Sequence, residues 1–149
     1  MKTIIIYVSV HHGNTKKVVE RMAQSLAADM VDLAKAEEID FSGYDLIGFA
    51  SGAYFNSLHK GIKEFISNAQ FQKGQRVFLV ATCGVNYRDY TKELKKNLAE
   101  KGVTCVASFQ CRGYDTYGFW EKIGGIAKGR PNSKDLKRAA AFAQSMLQG

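Results

Sequence analysis

A short loop after the first apolar run carries the residues best suited to bind an anion. It reads Ser9-Val10-His11-His12-Gly13-Asn14-Thr15 and lies between a β-branched run, residues 3–8, and an amphipathic stretch. Backbone N–H groups at a helix start favour an anion, and a glycine lets the ligand come close. The spacing is neither GxGxxG nor a lysine-containing phosphate loop, so a phosphate monoester bound without a metal is one interpretation. A strand-to-helix turn capped by Asn14 or Thr15 is the other.

Two later loops place small residues and then aromatic residues at the ends of apolar runs. They read Ser51-Gly52-Ala53-Tyr54-Phe55-Asn56-Ser57-Leu58-His59 and Thr82-Cys83-Gly84-Val85-Asn86-Tyr87. Aromatic loops of this kind can sandwich a flat ring, since stacking contributes roughly 0.5–1.5 kcal/mol beyond area burial. The alternative is that these aromatic side chains only cap the core.

Histidines and cysteines are common metal ligands, but their number and spacing in this sequence argue against a metal site. His11, His12 and His59 are the only histidines, and a cluster of them would need further ligands. The three cysteines, Cys83, Cys105 and Cys111, have no CxxC spacing and are odd in number. We predict no metal site, and buried or idle thiols in a reducing compartment.

The elements that position these loops alternate between strand and helix. Unbroken apolar runs at residues 3–8, 45–51, 76–82 and 104–111, with a weaker edge candidate at 29–33, predict parallel strands buried on both faces. Four amphipathic stripes lie between and after them, and Ser133 is the predicted N-cap of the last. The pattern predicts one α/β domain over residues 1–149, a doubly wound five-stranded parallel sheet with helices on both faces. Ligands of such sheets bind at the carboxyl ends of the strands, where all three loops emerge.

Composition and charge limit the function classes. The chain has 149 residues, 46% hydrophobic and 23% charged, which is typical of a globular protein. No apolar run is long enough to span a membrane and no signal peptide is evident, so we expect a cytoplasmic protein. Residues 1–75 are balanced in charge, and the whole net charge of +7 lies in residues 76–149. A basic half attracts an acidic protein or an anionic membrane surface, or it is simply a solvated face.

Three segments resemble the flavodoxin family. His12-Gly13-Asn14-Thr15 is similar to its [ST]-G-N-T phosphate loop, and residues 50–55 followed by His59-Lys60 are similar to its second flavin loop. Residues 118–132 resemble the tail of small flavodoxin-like proteins. The resemblance covers the whole chain and matches the short-chain class. It implies strand order 2-1-3-4-5 and a non-covalent FMN at the carboxyl edge.

The resemblance also implies the residues that would bind the cofactor. The first loop would hold the FMN phosphate, and the second and third would flank the isoalloxazine ring. The implied set is Ser9, Val10, His11, His12, Gly13, Asn14, Thr15, Ser51, Gly52, Ala53, Tyr54, Phe55, Asn56, Thr82, Cys83, Gly84, Asn86 and Tyr87. In the second loop, Tyr54-Phe55-Asn56 is expected to form the peptide turn beside flavin N5. Asn56 tolerates left-handed backbone geometry better than most residues.

The function implied is electron transfer, with the flavin cycling between its oxidised, semiquinone and hydroquinone states. The expected partner is a redox protein, either a reductase or an acceptor, and nucleic acid is not expected. An electron carrier is favoured over an enzyme, and no catalytic residue is assigned. Two alternatives stay open: a flavin-dependent oxidoreductase similar to menaquinone-dependent protoporphyrinogen oxidase, and a flavodoxin-fold binding module without FMN. The chain departs from the family in His11-His12, in its basic charge and in a third loop without acidic residues.

Overall fold

A twisted parallel sheet forms the centre of the protein. The computed structural model describes residues 1–10, 12–54, 56–116 and 118–147, with only the backbone described for 118–120. The strands are β1 (Thr3–Tyr7), β2 (Asp29–Asp32), β3 (Leu46–Tyr54), β4 (Ser57–Leu58), β5 (Arg76–Cys83) and β6 (Thr104–Arg112). Their order is β2-β1-β3-β5-β6, with the short β4 pairing antiparallel to β3. Counting the five parallel strands alone, this is the expected order 2-1-3-4-5.

Helices cover both faces of the sheet and create two apolar cores. They are α1 (Asn14–Leu26), α2 (Leu33–Ala36), α3 (Lys60–Asn68), α4 (Lys92–Glu100) and α5 (Ser133–Leu147). Helices α1 and α5 bury their stripes against one face, and α3 and α4 pack on the other. Val18, Val19 and Met22 of α1 are completely buried, as their spacing predicts. The doubly wound α/β fold predicted from the sequence is therefore confirmed.

Sequence periodicity missed one short helix and one short strand. Helix α2 is a single turn that begins where the Asp32 carboxylate accepts the Ala34 N–H. Strand β4 arises because β3 continues to Tyr54 and folds back, so that Ala53 pairs with Leu58 and Tyr54 with Ser57. A two-residue strand and a single helical turn are too short to show a period.

The last helix begins one residue away from the expected position. Ser133 is its first helical residue, and the cap is Asn132, whose Oδ1 accepts the Asp135 N–H at 3.0 Å. The Asp135 carboxylate in turn accepts the Asn132 N–H at 2.8 Å, which gives a reciprocal capping arrangement. The prediction of Ser133 as N-cap was wrong because serine and asparagine are both good caps and the sequence places them side by side.

Residues 113–130, here called the strap, connect β6 to α5 across the carboxyl edge of the sheet. The strap contains a 3₁₀ helix, Gly118–Ile123, and folds back on itself through paired backbone hydrogen bonds between Asp115 and Ile126. The Tyr114 N–H donates to the Arg130 carbonyl at 2.9 Å. These bonds close the strap on itself, and the Gly113 N–H donates to the Cys83 carbonyl at 2.8 Å, which joins the strap to the end of β5. No helix among the described residues has both the length and the apolar character needed to cross a membrane.

Candidate functional site

A cavity of about 340 Å³ opens at the carboxyl edge of the sheet, between the three loops and the strap. Parallel strands end together at this edge, so four chain segments distant in sequence meet there. Its lining residues are Val10, Asn14, Thr15, Gly52, Ala53, Tyr54, Asn56, Thr82, Cys83, Gly84, Val85, Tyr87, Tyr90, Gly113, Tyr114 and Asp115. Both its size and its aromatic lining are typical of a small-molecule site.

The first loop aims the N-terminus of α1 at this cavity. His12 and Gly13 have φ of 57° and 66°, a left-handed pair that turns the chain sharply from β1 into the helix. The Ser9 hydroxyl accepts the Lys16 N–H at 3.1 Å. Within the described part of the chain, the N–H groups of Asn14 and Thr15 have no protein acceptor. They remain available to an anionic ligand, as is usual for the first turn of a helix.

The side chains of Asn14 and Thr15 are buried and fix the loop to its neighbours. Asn14 Nδ2 donates to the Tyr114 carbonyl at 2.8 Å, and Thr15 Oγ1 lies 2.9 Å from Thr82 Oγ1. The other amide atom of Asn14, Oδ1, is buried without a hydrogen-bond partner among the described residues. A buried carbonyl oxygen without a donor is costly, and here it belongs to a residue that lines the cavity.

The second loop is the β3–β4 hairpin. Asn56 stands at its corner with φ of 100°, a positive value that asparagine tolerates better than most residues. The Tyr87 hydroxyl donates to Asn56 Oδ1 at 3.3 Å, so the second and third loops contact each other across the cavity mouth. Tyr54 packs edge-on against His59, with ring centroids 5.3 Å apart.

The strap packs closely against the third loop at Gly84. A Cβ at Gly84 would lie 2.7 Å from Asp115 Oδ2 and 3.1 Å from Ile126, so only glycine fits there. The Arg112 guanidinium donates to the Gly84 carbonyl at 2.8 Å. Burial raises the pKa of the Cys83 thiol to about 11, which keeps it protonated at neutral pH.

Tyr90 is hydrogen-bonded to the third loop through its hydroxyl group. Its hydroxyl donates to the Val85 carbonyl at 2.8 Å, and burial raises its pKa to about 12. Its ring meets Tyr87 edge-on at 6.1 Å. Tyr87 itself is 67% exposed and stands at the cavity mouth.

Most of the residues predicted for the site lie in one place. Eleven of them line the cavity: Val10, Asn14, Thr15, Gly52, Ala53, Tyr54, Asn56, Thr82, Cys83, Gly84 and Tyr87. Ser51 is buried and accepts the His59 N–H at 2.8 Å, so it joins β3 to the start of α3 instead. Asn86 accepts a hydrogen bond from Gln110 at 2.6 Å. Ser9, His12 and Gly13 shape the first loop without lining the cavity, and His11 and Phe55 lie outside the described residues.

Five lining residues were not predicted. Val85 lies within the third loop, Tyr90 follows it, and Gly113, Tyr114 and Asp115 belong to the strap. Residues 111–130 are rich in glycine and aromatic residues, which distinguishes this segment in the sequence. The sequence does not indicate which of these residues line the cavity.

The described histidines make contacts that do not involve a metal. His12 Nε2 lies 2.9 Å from Thr116 Oγ1, and its ring packs on Tyr114 with centroids 4.4 Å apart. His59 Nδ1 accepts the Gly61 N–H at 2.9 Å as the cap of α3. Among the described residues, no three His, Cys, Asp or Glu side chains are grouped to hold a metal ion.

The cavity itself carries little positive charge. Neither lysine nor arginine appears among its described lining residues, and Asp115 is their one acidic member. A ligand in this cavity would therefore contact aromatic rings, backbone groups and the Asp115 carboxylate. Such surroundings disfavour additional negative charge on the ligand.

Comparisons with known proteins agree with the fold. The family model described as "Flavodoxin domain" matches residues 4–128. A protein of Methanocaldococcus jannaschii, itself uncharacterised, is 38% identical over 150 residues, covering 99% of each chain. A flavodoxin from the domain Archaea superposes with a TM-score of 0.76 at 13% identity, over 99% of this chain and 97% of that one. Oxidised flavodoxin 2 from Bacillus cereus superposes with a TM-score of 0.72 at 18% identity, over 99% of both chains.

Proposed function

The chain belongs to the flavodoxin family, and from that premise we propose that it binds one FMN in the carboxyl-edge cavity and carries electrons between redox proteins. The observation that carries the proposal is a pair of features beside the cavity, the N–H groups of Asn14 and Thr15 at the start of α1 and the buried Asn14 Oδ1, none of which has a partner among the described residues. The N–H groups suit a phosphate, and the amide oxygen suits a hydroxyl donor. FMN offers both on one molecule.

The residues present fit this cofactor. The left-handed Gly13 leaves open space where a side chain would stand, since an added Cβ would meet nothing within 4 Å. That space lies next to the helix N-terminus, where an anion is stabilised by backbone dipoles. The first loop offers donors for one terminal phosphate, and no dinucleotide fingerprint accompanies it. We therefore propose FMN in preference to FAD.

Each part of the site has a distinct role in this proposal. Gly13, Asn14 and Thr15 would hold the phosphate, and Asn14 Oδ1 would accept a ribityl hydroxyl. Tyr54 and Tyr87 would flank the ring, and Gly52 and Gly84 would line its pocket. Asp115 would oppose the build-up of negative charge beside the ring.

When bound, FMN would supply the electron chemistry by accepting and releasing electrons. The protein's part would be to bind and orient the ring, exclude water from it and set the surrounding charge. The cytoplasmic location and the single domain over residues 1–149 remain predictions.

The experiment compares two variants that differ only in charge. Asn and Asp both tolerate the left-handed geometry of Gly13 and both cap helices, but only Asp adds a carboxylate beside the phosphate. We expect Gly13→Asp to bind FMN at least about tenfold more weakly than Gly13→Asn, which corresponds to roughly 1.4 kcal/mol. The measurement is quenching of flavin fluorescence on titration with the protein.

Riboflavin, which lacks the phosphate, is the matched control ligand. We expect the two Gly13 variants to bind riboflavin equally. Equal binding of FMN by both variants would remove this loop from the phosphate site, and no binding of either flavin by the parent protein would overturn the proposal.

A further inference from the structure

A second concavity adjoins the proposed flavin site. It has a volume of about 780 Å³ and lies between the β3–β4 hairpin and the starts of α3 and α4. Tyr54 and Asn56 line both concavities, so a molecule in the second one would approach the ring that the first would hold. We call this second concavity the basic groove. Its charged lining residues are Lys60, Lys63, Arg88, Asp89, Lys92, Glu93 and Lys96.

The acidic residues of the basic groove are already engaged by lysines. Glu93 lies 3.7 Å from Lys63, and Asp89 lies 2.9 Å from Lys95. The Asp89 carboxylate also accepts hydrogen bonds from the Thr91 backbone and hydroxyl. Each carboxylate of the groove therefore already has a lysine as its partner.

Three cations of the basic groove remain unpaired. Arg88, Lys92 and Lys96 are exposed, and no carboxylate in the described part of the chain lies within 4 Å of any of them. Lys92 and Lys96 are four residues apart on α4 and so share one face of the helix. Like charges at this spacing disfavour the helix by themselves, and an acidic partner would relieve that repulsion.

Exposed apolar side chains line the cavity of the proposed flavin site, which adjoins the groove. Tyr87 is 67% exposed and precedes Arg88 in the sequence, and Val10 is 60% exposed. Exposed apolar groups with charged groups around them are typical of protein docking sites, where the centre is apolar and the rim is polar.

We propose that the electron-transfer partner of this protein is an acidic protein, and that an acidic segment of it docks in the basic groove against Arg88, Lys92 and Lys96. This inference rests on the proposed function, because it assigns the partner of that same site. The cations line a concavity, which an acidic chain segment can enter. A lipid bilayer would meet only the rim of such a groove, so the shape favours a protein.

The test measures docking and electron transfer separately. The docking probe is a fluorescein-labelled peptide of ten glutamates, followed by fluorescence anisotropy without any flavin. The electron-transfer probe is an acidic [2Fe–2S] ferredoxin of plant type, a low-potential donor. Reduced beforehand, each ferredoxin gives one electron to the oxidised FMN-loaded protein and is itself oxidised by one electron, followed by anaerobic stopped-flow absorbance.

The variants change charge in the groove or far from it by equal amounts. Lys92→Glu with Lys96→Glu reverses the groove, and Lys92→Gln with Lys96→Gln only neutralises it. The control is Lys73→Glu with Lys137→Glu, since Lys73 precedes β5 at the opposite edge of the sheet and Lys137 lies on α5, on the other face. All four lysines are exposed, so we expect the variants to fold.

We expect the groove reversal to lower the electron-transfer rate constant at least about tenfold at low salt, and the control to change it less than about twofold. The neutral pair should fall between them. In the parent, the rate constant should fall at least about tenfold between about 50 mM and 500 mM NaCl, because exposed charges are screened over about 10 Å or less. Peptide binding should follow the same order of variants.

Equal losses in the groove and control variants, or a parent rate that does not depend on salt, would overturn the proposal. So would binding of phosphatidylserine vesicles that depends on Lys92 and Lys96 while the glutamate peptide fails to bind. Failure to load FMN would count against the proposed function alone, because the peptide arm would still decide whether the groove binds an acidic chain.

Discussion

At the residue scale, an aspartate at the start of α5 is buried and held by several hydrogen bonds. Asp135 is 1% exposed and makes two short hydrogen bonds with the Arg130 guanidinium, at 2.6 and 2.7 Å. The Arg130 hydrogen bonds hold the pKa of this carboxyl below its usual value, despite the opposing effect of burial. Because Arg130 ends the strap, this pair fixes the strap to the helix that follows it.

A lowered pKa in the folded state makes this contribution depend on pH. It is fully present above the unfolded-state pKa of about 4 and is lost as the pH falls through the lower folded-state value. We expect Asp135→Asn to lower the free energy of unfolding by about 1–3 kcal/mol at pH 7, and by less near pH 3, because part of the contribution is lost once the pH is below the unfolded-state pKa. Urea unfolding at the two pH values measures this. Glu20→Gln, on the exposed face of α1, is the control, and a loss for Asp135→Asn that is equal at both pH values would contradict the assignment.

Cys83 lines the proposed site, and its position there suggests a redox-active thiol, which its environment argues against. Its thiol donates to the Cys111 carbonyl at 3.5 Å, and its raised pKa leaves almost no thiolate at neutral pH. We expect Cys83→Ala to keep its flavin content and its electron-transfer rate. We also expect the folded parent protein to react with iodoacetamide far more slowly at Cys83 than the urea-unfolded chain does. Loss of electron transfer with the flavin retained would indicate a redox-active thiol instead.

At the element scale, the β3–β4 hairpin presents a residue in a strained conformation to the proposed ring. Asn56 has φ of 100°, a region that glycine occupies freely and β-branched residues avoid. A change of peptide orientation here would give or remove one hydrogen bond to the flavin, about 1 kcal/mol net. We expect Asn56→Gly to raise, and Asn56→Val to lower, the fraction of one-electron-reduced flavin during a reductive titration. If both variants match the parent, the responsive peptide lies elsewhere.

The strap is the second element whose position the site depends on. Because a Cβ at Gly84 would lie 2.7 Å from the Asp115 carboxylate, Gly84→Ala should displace Asp115 and with it one wall of the cavity. We expect this variant to bind FMN at least about tenfold more weakly, a change of roughly 1.4 kcal/mol. Gly43→Ala is the control, since a Cβ there would meet nothing within 4 Å. Fluorescence titration measures both affinities, and equal binding by the two would show that the strap does not shape the site.

The sheet and the strap differ in how far the sequence predicts them. Four unbroken apolar runs indicate the buried parallel strands, because such runs fit a sheet covered on both faces. Ser51 and Asn86 lie in the correct loops, yet their side chains bond to His59 and Gln110 in place of the cavity. The strap has no regular hydrophobic period. Backbone pairing with Ile126 places Asp115 at the cavity, and the absence of a side chain at Gly84 leaves room for it. Contacts of that kind depend on the assembled fold and leave no local pattern.

At the scale of the whole molecule, the two faces of the sheet have separate roles. Helices α1 and α5 bury one core beneath the proposed phosphate loop and the end of the strap. Helices α3 and α4 bury the other and carry the basic groove. The proposed flavin site lies at the edge that both cores share, so a ligand there contacts segments from both halves of the chain. Binding should therefore stabilise the molecule as one unit.

Because both cores meet at the proposed site, we expect ligand binding to affect the unfolding of the whole molecule. A ligand that binds only the folded state at about 100 times its dissociation constant stabilises that state by about 2.7 kcal/mol. For a chain of this length, that amount raises the melting temperature by about 5–10 °C. We expect calorimetry to show one transition, moved by FMN as a whole, with riboflavin producing a smaller shift because it lacks the phosphate. Two transitions of which FMN moves only one would contradict both the single domain and the placement of the site between the two cores.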